Sequence, residues 1–559
     1  MTDNKNTSSP KHRNPWAWVP TLYFYQGMPY AIAMLTSVVM FKSLGIDGAS
    51  IAFWTSLIYL PWAIKFAWSP FIDTTSTKRN WVISTQILLG FSFIVLAFAL
   101  QLPIFFAVSI AVLFVIAFSS ASHDIAADGF YMLGLDQHGQ SLFVGIRATF
   151  YRLAMLSAMG LIPIIAGYIE SNTGLKPVTV DVQTVSGEIS PTIYPDSIQL
   201  AAQPGELKIQ LFPQHVKLPL YNEKTKNDST LVYVTLTAAP AKDEKVVVNL
   251  KLAKGSKDIS LASGARFEFT KSNWNKPQRS VFKVDHKLKQ EITSTYKATA
   301  GNTPFAWAVA MSSLGVLLLL LALYHKIILP KPEIPGVEKV KQGLSAFKEV
   351  FVSFFSKPAM IPSLIFFLIY RLGEGQLVKV VPMFFLDPVE KGGLGLTTAQ
   401  YGLAYGITAP VFLTLGGISG GLVAAKFGLK KMIFPMSLIM SSPILVYLYL
   451  SNFQPEALHW SIFGSIALEQ FGYGFGFTAY MLYMLYYVGE SKYKTAEFAM
   501  ATSLMALGMM LPGMISGKVQ QLLGYQHFFI YVIICAIPGM FIAKFLKIDP
   551  HFGIKKKEV

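Results

Sequence analysis

The chain has 559 residues, of which 53% are hydrophobic and 14% charged, and its mean hydropathy is +0.45. A soluble protein carries roughly 25% charged residues, and 42 Phe and 21 Met are more than so few charges can cover, so the composition excludes a cytosolic enzyme and makes lipid the solvent for most of the chain. The formal charge of +16 fits nucleic acid or lysines bordering membrane spans, while the single cysteine, Cys535, excludes an intramolecular disulfide or a cysteine-based metal site.

The polar, basic residues 1–16 precede an apolar run without the short core and cleavage site of a secretory signal, so the first span is expected to stay in the protein. Stretches able to cross about 30 Å of hydrocarbon fall near 17–42, 51–72, 81–101, 103–133 and 143–169, then near 304–328, 359–386, 398–425, 431–451, 458–488, 494–519 and 526–547. The sequence thus predicts an all-α polytopic membrane protein with about twelve transmembrane helices in two six-helix bundles. Residues 1–170 hold spans one to five, 171–303 a polar insert, 304–329 the sixth span, 330–358 a lysine-bearing linker, 359–548 the second bundle and 549–559 a basic tail. Six spans, a linker and six more spans, with short basic loops at equivalent places (Lys78-Arg79; Lys426, Lys430, Lys431), follow the major facilitator plan, in which the substrate sits between two repeats.

Cytoplasmic loops carry the excess of lysine and arginine. Lys78, Arg79, the linker lysines, Lys426, Lys430, Lys431, Lys492, Lys494 and Lys555 to Lys557 share one side, against Lys42, Lys391 and Lys518 on the other. Both termini are therefore expected in the cytoplasm and residues 171–303 in the periplasm of a protein of the inner membrane. This topology absorbs the positive charge without nucleic acid. Within the insert, 231–237, 246–252, 266–270 and 280–284 alternate with period two between turn residues and read as strands of a β-sandwich. Residues 264–285 resemble the end of a Calx-beta-type module but lack the acidic cluster that calcium requires; the insert is expected to recognise a glycan or an envelope partner, or to cap the bundle.

Ionisable residues inside spans are costly and mark function. In the fourth span Asp124 and Asp128 share one helical face beside His123, and Lys65, Arg147 and Arg152 reach similar depth, so the five charges are expected to cluster, with Arg147 snorkelling to the interface and His123 orienting Asp124 or relaying protons. Arg371, Glu374 and Lys379 lie in the seventh span and Glu469 at comparable depth in the tenth. Asp124, Asp128, Glu374, Glu469 and His123 are the proton-coupling candidates. Arg152, Arg371 and Lys65 are candidates for a substrate anion, and Gln26, Tyr25, Tyr30, Tyr473 and Tyr480 for sugar contacts, since tyrosine offers an apolar face and a hydroxyl. A carboxylate in a low-dielectric cavity can take up a proton that a neighbouring arginine then helps to release; the competing reading is static ion pairing between helices. No metal site, cofactor motif, nucleophile or phosphate loop appears, and Gly416-Gly417 and Gly420-Gly421 read as helix-packing sites.

Tyr25-Gln26-Gly27-Met28-Pro29-Tyr30, the stretch Trp62 to Asp73, and His123-Asp124-Ile-Ala-Ala-Asp128-Gly resemble the AmpG-like branch of the major facilitator superfamily, which includes muropeptide permeases and acetyl-CoA transporters. The resemblance is stronger in the first bundle. It implies proton-driven import of anhydromuramyl disaccharides and their peptides. Two departures, His123 where glutamine is usual and the insert itself, leave open another amphipathic anion such as an acyl-CoA or a siderophore, or an envelope sensor that uses the insert.

Overall fold

The computed structural model describes residues 14–135, 137–186, 206–221, 229–241, 246–256, 258–331, 343–489, 491 and 494–552. The N-terminal residues 1–13, linker residues 332–342, Lys492 and the tail lysines Lys555 to Lys557 lie outside the described residues.

The first pass runs from α1 (Val19–Ala31) through a π-helical turn (Ile32–Thr36) into α2 (Ser37–Ser43). The second, expected as one run, is broken into α3 (Gly48–Leu57), α4 (Leu60–Ile64), a 3-10 turn (Lys65–Ala67) and α5 (Ser69–Thr75). Pro61 at the start of α4 lacks the N–H that would continue α3. Then come α6 (Lys78–Ala99), α7 (Phe105–Gly134), α8 (Gln137–Leu156), a second π-turn (Ser157–Leu161) and α9 (Ile162–Asn172). Beyond the insert lie α10 (Thr303–Ile328), the amphipathic α11 (Gly343–Phe355), α12 (Met360–Ile369), α13 (Leu372–Leu386), α14 (Thr398–Phe427), α15 (Leu429–Ser441), α16 (Ile444–Phe453), α17 (Trp460–Val488) and α18 (Lys494–Ile542). In α18 the chain breaks at Gly524, where φ is 72° and a side chain would be strained, so α18 makes two arms.

Among the described residues eight helices are long and apolar enough to cross a membrane, or nine if the bent pair Lys348–Phe355 and Met360–Leu386 is one span. Adding the broken second pass, the more polar α17 and the second arm of α18 recovers the roughly twelve passes expected from the sequence. Their outer faces expose Phe98, Leu320, Ile407, Leu422 and Leu522, side chains that lipid covers.

In the first half α6 packs on α7 and α10, and α1 on α7 and α8; in the second, α14 and α15 pack on α17, and α13 on α18. The halves meet along two seams, α3 and α4 against α18, and α9 with its π-turn against α14. Both seams use glycine: a Cβ on Gly160 would sit 2.7 Å from the Gly406 Cα, so the helices approach backbone to backbone. Gly416 and Gly420, expected to serve packing, press on the Phe471 and Phe475 carbonyls of α17.

The insert is a two-sheet sandwich. Its strands are β1 (Leu175–Val185), β2 (Ile209–Phe212), β3 (His215–Pro219), β4 (Ser229–Leu236), β5 (Val246–Lys254), β6 (Ile259–Ser263), β7 (Arg266–Phe269), β8 (Gln278–Val284) and β9 (Thr293–Gly301). One sheet has the order β3-β1-β9-β5-β7, the other β2-β4-β8-β6, and β1 pairs with β3 in parallel. The four predicted strands are β4, β5, β7 and β8. Pro177 and a bulge at Leu175/Val178 hide β1, and β9, rich in Thr and Ala, has little hydrophobic alternation although it lies at the sheet centre. Val180, Val248, Phe267, Phe269, Phe282 and Tyr296 fill the core. β1 and β9 enter from α9 and α10, so the five-stranded sheet is rooted on the bundle: burial moves the Lys251 ammonium below its ordinary range, opposed by Glu170 of α9 and assisted by Arg266 of β7.

Phe282 is fully buried and meets Tyr296 edge-on at 4.7 Å between ring centroids. Phe282→Ala is expected to destabilise the sandwich by about 3–5 kcal/mol, measured on the full-length protein as faster proteolysis inside 175–301 with unchanged proteolysis of the helical body.

Candidate substrate and proton site

Asp124 and Asp128 project from α7 toward α1, as their four-residue spacing predicts. Asp124 accepts from Gln26 Nε2 of α1 and pairs with Lys65 Nζ at 3.3 Å. The break between α4 and α5 turns Lys65 inward. Asp128 accepts from the Tyr23 hydroxyl at 3.0 Å and lies 3.5 Å from Arg147 Nη1 of α8. Arg147, expected at the interface, also donates to Tyr23 at 2.9 Å and stacks over the Tyr23 and Tyr131 rings at 5.0 and 4.9 Å. Its guanidinium fits a slot between two aromatic faces, which attract the cation through the ring quadrupoles. Arg152 stands apart from the expected five-charge cluster. It is exposed, with its guanidinium beside Gly417 of α14 at the seam and no carboxylate partner among the described residues.

His123 does not orient Asp124. It is buried, its Nε2 lies 3.1 Å from Gln86 Nε2, and Gln86 Oε1 is 3.0 Å from Nδ1 of His325, whose Nε2 reaches Thr21. This chain ties α7, α6, α10 and α1 together, and Tyr25 completes it by donating to the Gln86 carbonyl at 2.7 Å. Gln86 and His325 were not singled out by sequence, because uncharged polar residues inside spans carry no depth signal of their own.

In the second half, the helix breaks between α12 and α13 and presents Arg371 to Glu374 as a bidentate pair, Nε to Oε2 at 2.8 Å and Nη2 to Oε1 at 2.7 Å. Nη2 also donates to the Tyr473 hydroxyl at 3.0 Å, and Phe477 covers the guanidinium at 5.0 Å. Glu469 accepts from Gln470 Nε2, which also reaches Tyr405. Glu374 and Glu469 therefore hold their oxygens differently, one on a cation and one on neutral donors. Both line one small crevice of about 20 Å³, with Tyr370, Met440, Ser441 and Tyr473 among its walls.

The tyrosine candidates divide. Tyr473 lines the crevice and Tyr30 packs edge-on against Trp62 and Tyr59. Tyr25 and Tyr480 are fully buried with hydroxyls committed to the carbonyls of Gln86 and Phe367, so both serve packing in this state; their sequence signal was indistinguishable from that of Tyr473. Among the described residues no group of three or more His, Cys, Asp or Glu is arranged to hold a metal ion.

This arrangement of two six-pass halves superimposes on solved transporters along almost the whole chain. A D-xylose-proton symporter matches with TM-score 0.55 at 11% identity, over 95% of this chain and 97% of the other, and the nucleoside transporter NupG with TM-score 0.52 at 12%, over 94% and 98%. The fold is that of the major facilitator superfamily. Residues 26–142, which hold Gln26, Lys65, Asp124 and Asp128, match the model of the BT1 family. Proteins named "Putative transporter AmpG 2" in Rickettsia prowazekii and Rickettsia typhi are each 29% identical over 214 residues, covering 37% of this chain and 48% of theirs. The match thus spans about half the length of these relatives, and the AmpG-like resemblance read from the span motifs is borne out. The relatives and the fold neighbours are transporters, not enzymes.

Removing one partner of a buried pair costs about 3–5 kcal/mol, whereas replacing both with apolar groups costs far less. Arg371→Met alone should therefore lower the thermal midpoint of the detergent-solubilised protein strongly, and Arg371→Met with Glu374→Met should recover most of the loss; equal destabilisation by the single and double variants would show that the pair is not coupled.

Proposed function

We propose that the chain is a secondary active transporter that imports peptidoglycan-derived muropeptides or a related anionic glycan across the inner membrane, driven by protons. The observation that carries this reading is the α7 pair: Asp124 and Asp128, one turn apart within the BT1-matched segment, each meet a cation from a different helix, Lys65 beside α4 and Arg147 on α8. Protonating either carboxylate removes the charge holding two helices together, so proton binding and helix rearrangement are one event. Exposure supports a division of labour, since the Asp128 side chain is 48% exposed and Asp124 19%; Asp128 is the proton port and Asp124 the inner member.

On this reading Arg371, Arg152 and Lys65 serve the substrate anion, Tyr30, Tyr473 and Gln26 its sugar rings, and Glu374 and Glu469 are the carboxylates of the second half, with Glu469, lacking a cation, the one free to carry a proton. The orientation follows the basic loops: the end bearing Lys78, Arg79, Lys326, Lys357, Lys426, Lys430 and Lys431 is cytoplasmic and the insert periplasmic. The rooting of the insert beside Glu170 also supports a second reading, in which the insert senses an envelope ligand and the bundle transmits the signal.

Right-side-out vesicles should accumulate labelled anhydromuropeptide when an inward proton gradient is imposed, and Asp128→Asn should abolish accumulation while leaving exchange of internal for external substrate in place. Uptake indifferent to the gradient would remove the coupling. Replacing 175–301 by a short linker tests the part the insert plays: uptake retained without it makes the insert accessory, whereas the sensor reading requires that the unaltered protein take up no substrate.

A further inference from the structure

Lys379 is a buried lysine that the α7 and crevice clusters leave unused. It lies in the middle of α13 with no accessible surface, and its Nζ donates to the carbonyls of Met34 at 2.9 Å and Thr55 at 3.2 Å, under the face of the Tyr59 ring at 5.1 Å. No carboxylate pairs with it among the described residues. A buried ammonium normally takes an ionic partner, because two neutral acceptors compensate only part of its lost hydration.

Both acceptors belong to the other half of the molecule. Met34 lies in the π-helical turn between α1 and α2, where the regular ladder is interrupted and a carbonyl can turn outward, and Thr55 lies in α3. The same end is closed by Lys42 of α2 against Asp387 at 2.7 Å, by Gly48 against Gly517, and by Glu170, which accepts from Thr303 at 2.8 Å and from Thr398 of α14 at 3.4 Å. Separation of the halves at this end removes both of Lys379's acceptors together and leaves a full positive charge on the opened seam, near Tyr30 and Tyr59 and on the same helix as Arg371 and Glu374.

We infer that Lys379 binds a carboxylate of the substrate when the insert end is open, and that the Met34 and Thr55 carbonyls replace that carboxylate when the end closes. The class of ligand is a sugar acid or peptidyl glycan with a free carboxylate, and this deepens the transporter reading, on which it rests. The exchange explains why the site has no protein counter-ion among the described residues: a resident carboxylate would compete with the substrate's.

Ser56 of α3, buried against Gly513 of α18, provides a reporter of opening at this end. In a Cys535→Ser background, the labelling rate of the Ser56→Cys thiol by an impermeant maleimide is followed in proteoliposomes while N-acetylmuramic acid, or neutral N-acetylglucosamine, is titrated in. With Lys379 present the acid should alter labelling at lower concentration than the neutral sugar. Lys379→Gln, which keeps N–H donors but not the charge, should raise the half-effective concentration of the acid about tenfold or more relative to that of the neutral sugar, the usual effect of losing a charged hydrogen bond; Lys379→Arg should restore the preference. Equal shifts for acid and neutral sugar, or no response to the acid with Lys379 intact, overturn the inference. If Lys379→Gln fails to fold by size exclusion, the Lys379→Arg comparison decides: loss of acid preference with the charge retained overturns it. Labelled anhydromuropeptide uptake is run on the unsubstituted protein in parallel, so that its failure rejects the muropeptide reading while the sugar-acid titration still judges Lys379.

Discussion

A charge in hydrocarbon costs several kcal/mol unless it is paired or opens onto water, and the helical body is arranged around that cost. Asp124 and Asp128 are each met from two other helices, Arg371 and Glu374 close on each other in a bidentate pair, and Lys379 reaches across to the other half for its acceptors. The α7 carboxylates and Lys379 tie helices together through a group whose charge can change or whose partner can be exchanged, and Arg371 joins α13 to α17 through the Tyr473 hydroxyl. The interactions that make the bundle affordable in lipid are therefore also the ones whose rearrangement can move it.

Helix breaks put these groups in place. The interruption between α4 and α5 delivers Lys65 to Asp124, that between α12 and α13 delivers Arg371 to Glu374, and the π-turn after α1 leaves a carbonyl for Lys379. An unbroken helix would satisfy its own backbone more completely but would aim these side chains elsewhere. Tightly apposed glycines serve the opposite purpose. Gly160 and Gly406 bring the halves together backbone to backbone, which suits a surface over which one half rocks on the other.

The insert is a separate solution in a separate solvent, with a core of Val and Phe between two sheets in place of lipid. Its attachment is not remote from the bundle. β1 and β9 continue from α9 and into α10, and Glu170 at that root touches Thr398 of the second half. The sandwich therefore stands beside the contact of α9 with α14, at the same end of the bundle as the Lys42–Asp387 pair.

Much of this was legible in the residues. The spans and the linker follow from apolar run length, the four better strands from alternation, the acidic face of α7 from a spacing of four, and the Arg371–Glu374 pair from a spacing of three, because each depends on neighbours in sequence. What sequence misjudged depends on partners far away along the chain: Arg147 between two aromatic rings, His123 on Gln86 rather than Asp124, Arg152 beside Gly417 at the seam, and Tyr25 and Tyr480 turned to backbone carbonyls. The sequence by itself determined that this chain lives in lipid, in two repeated halves with a polar insert, since hydrophobic free energy scales with the apolar surface that composition already counts. Only the tertiary structure decided which charge meets which, since a pairing needs contact within about 4 Å and helices more than a hundred residues apart supply the partners.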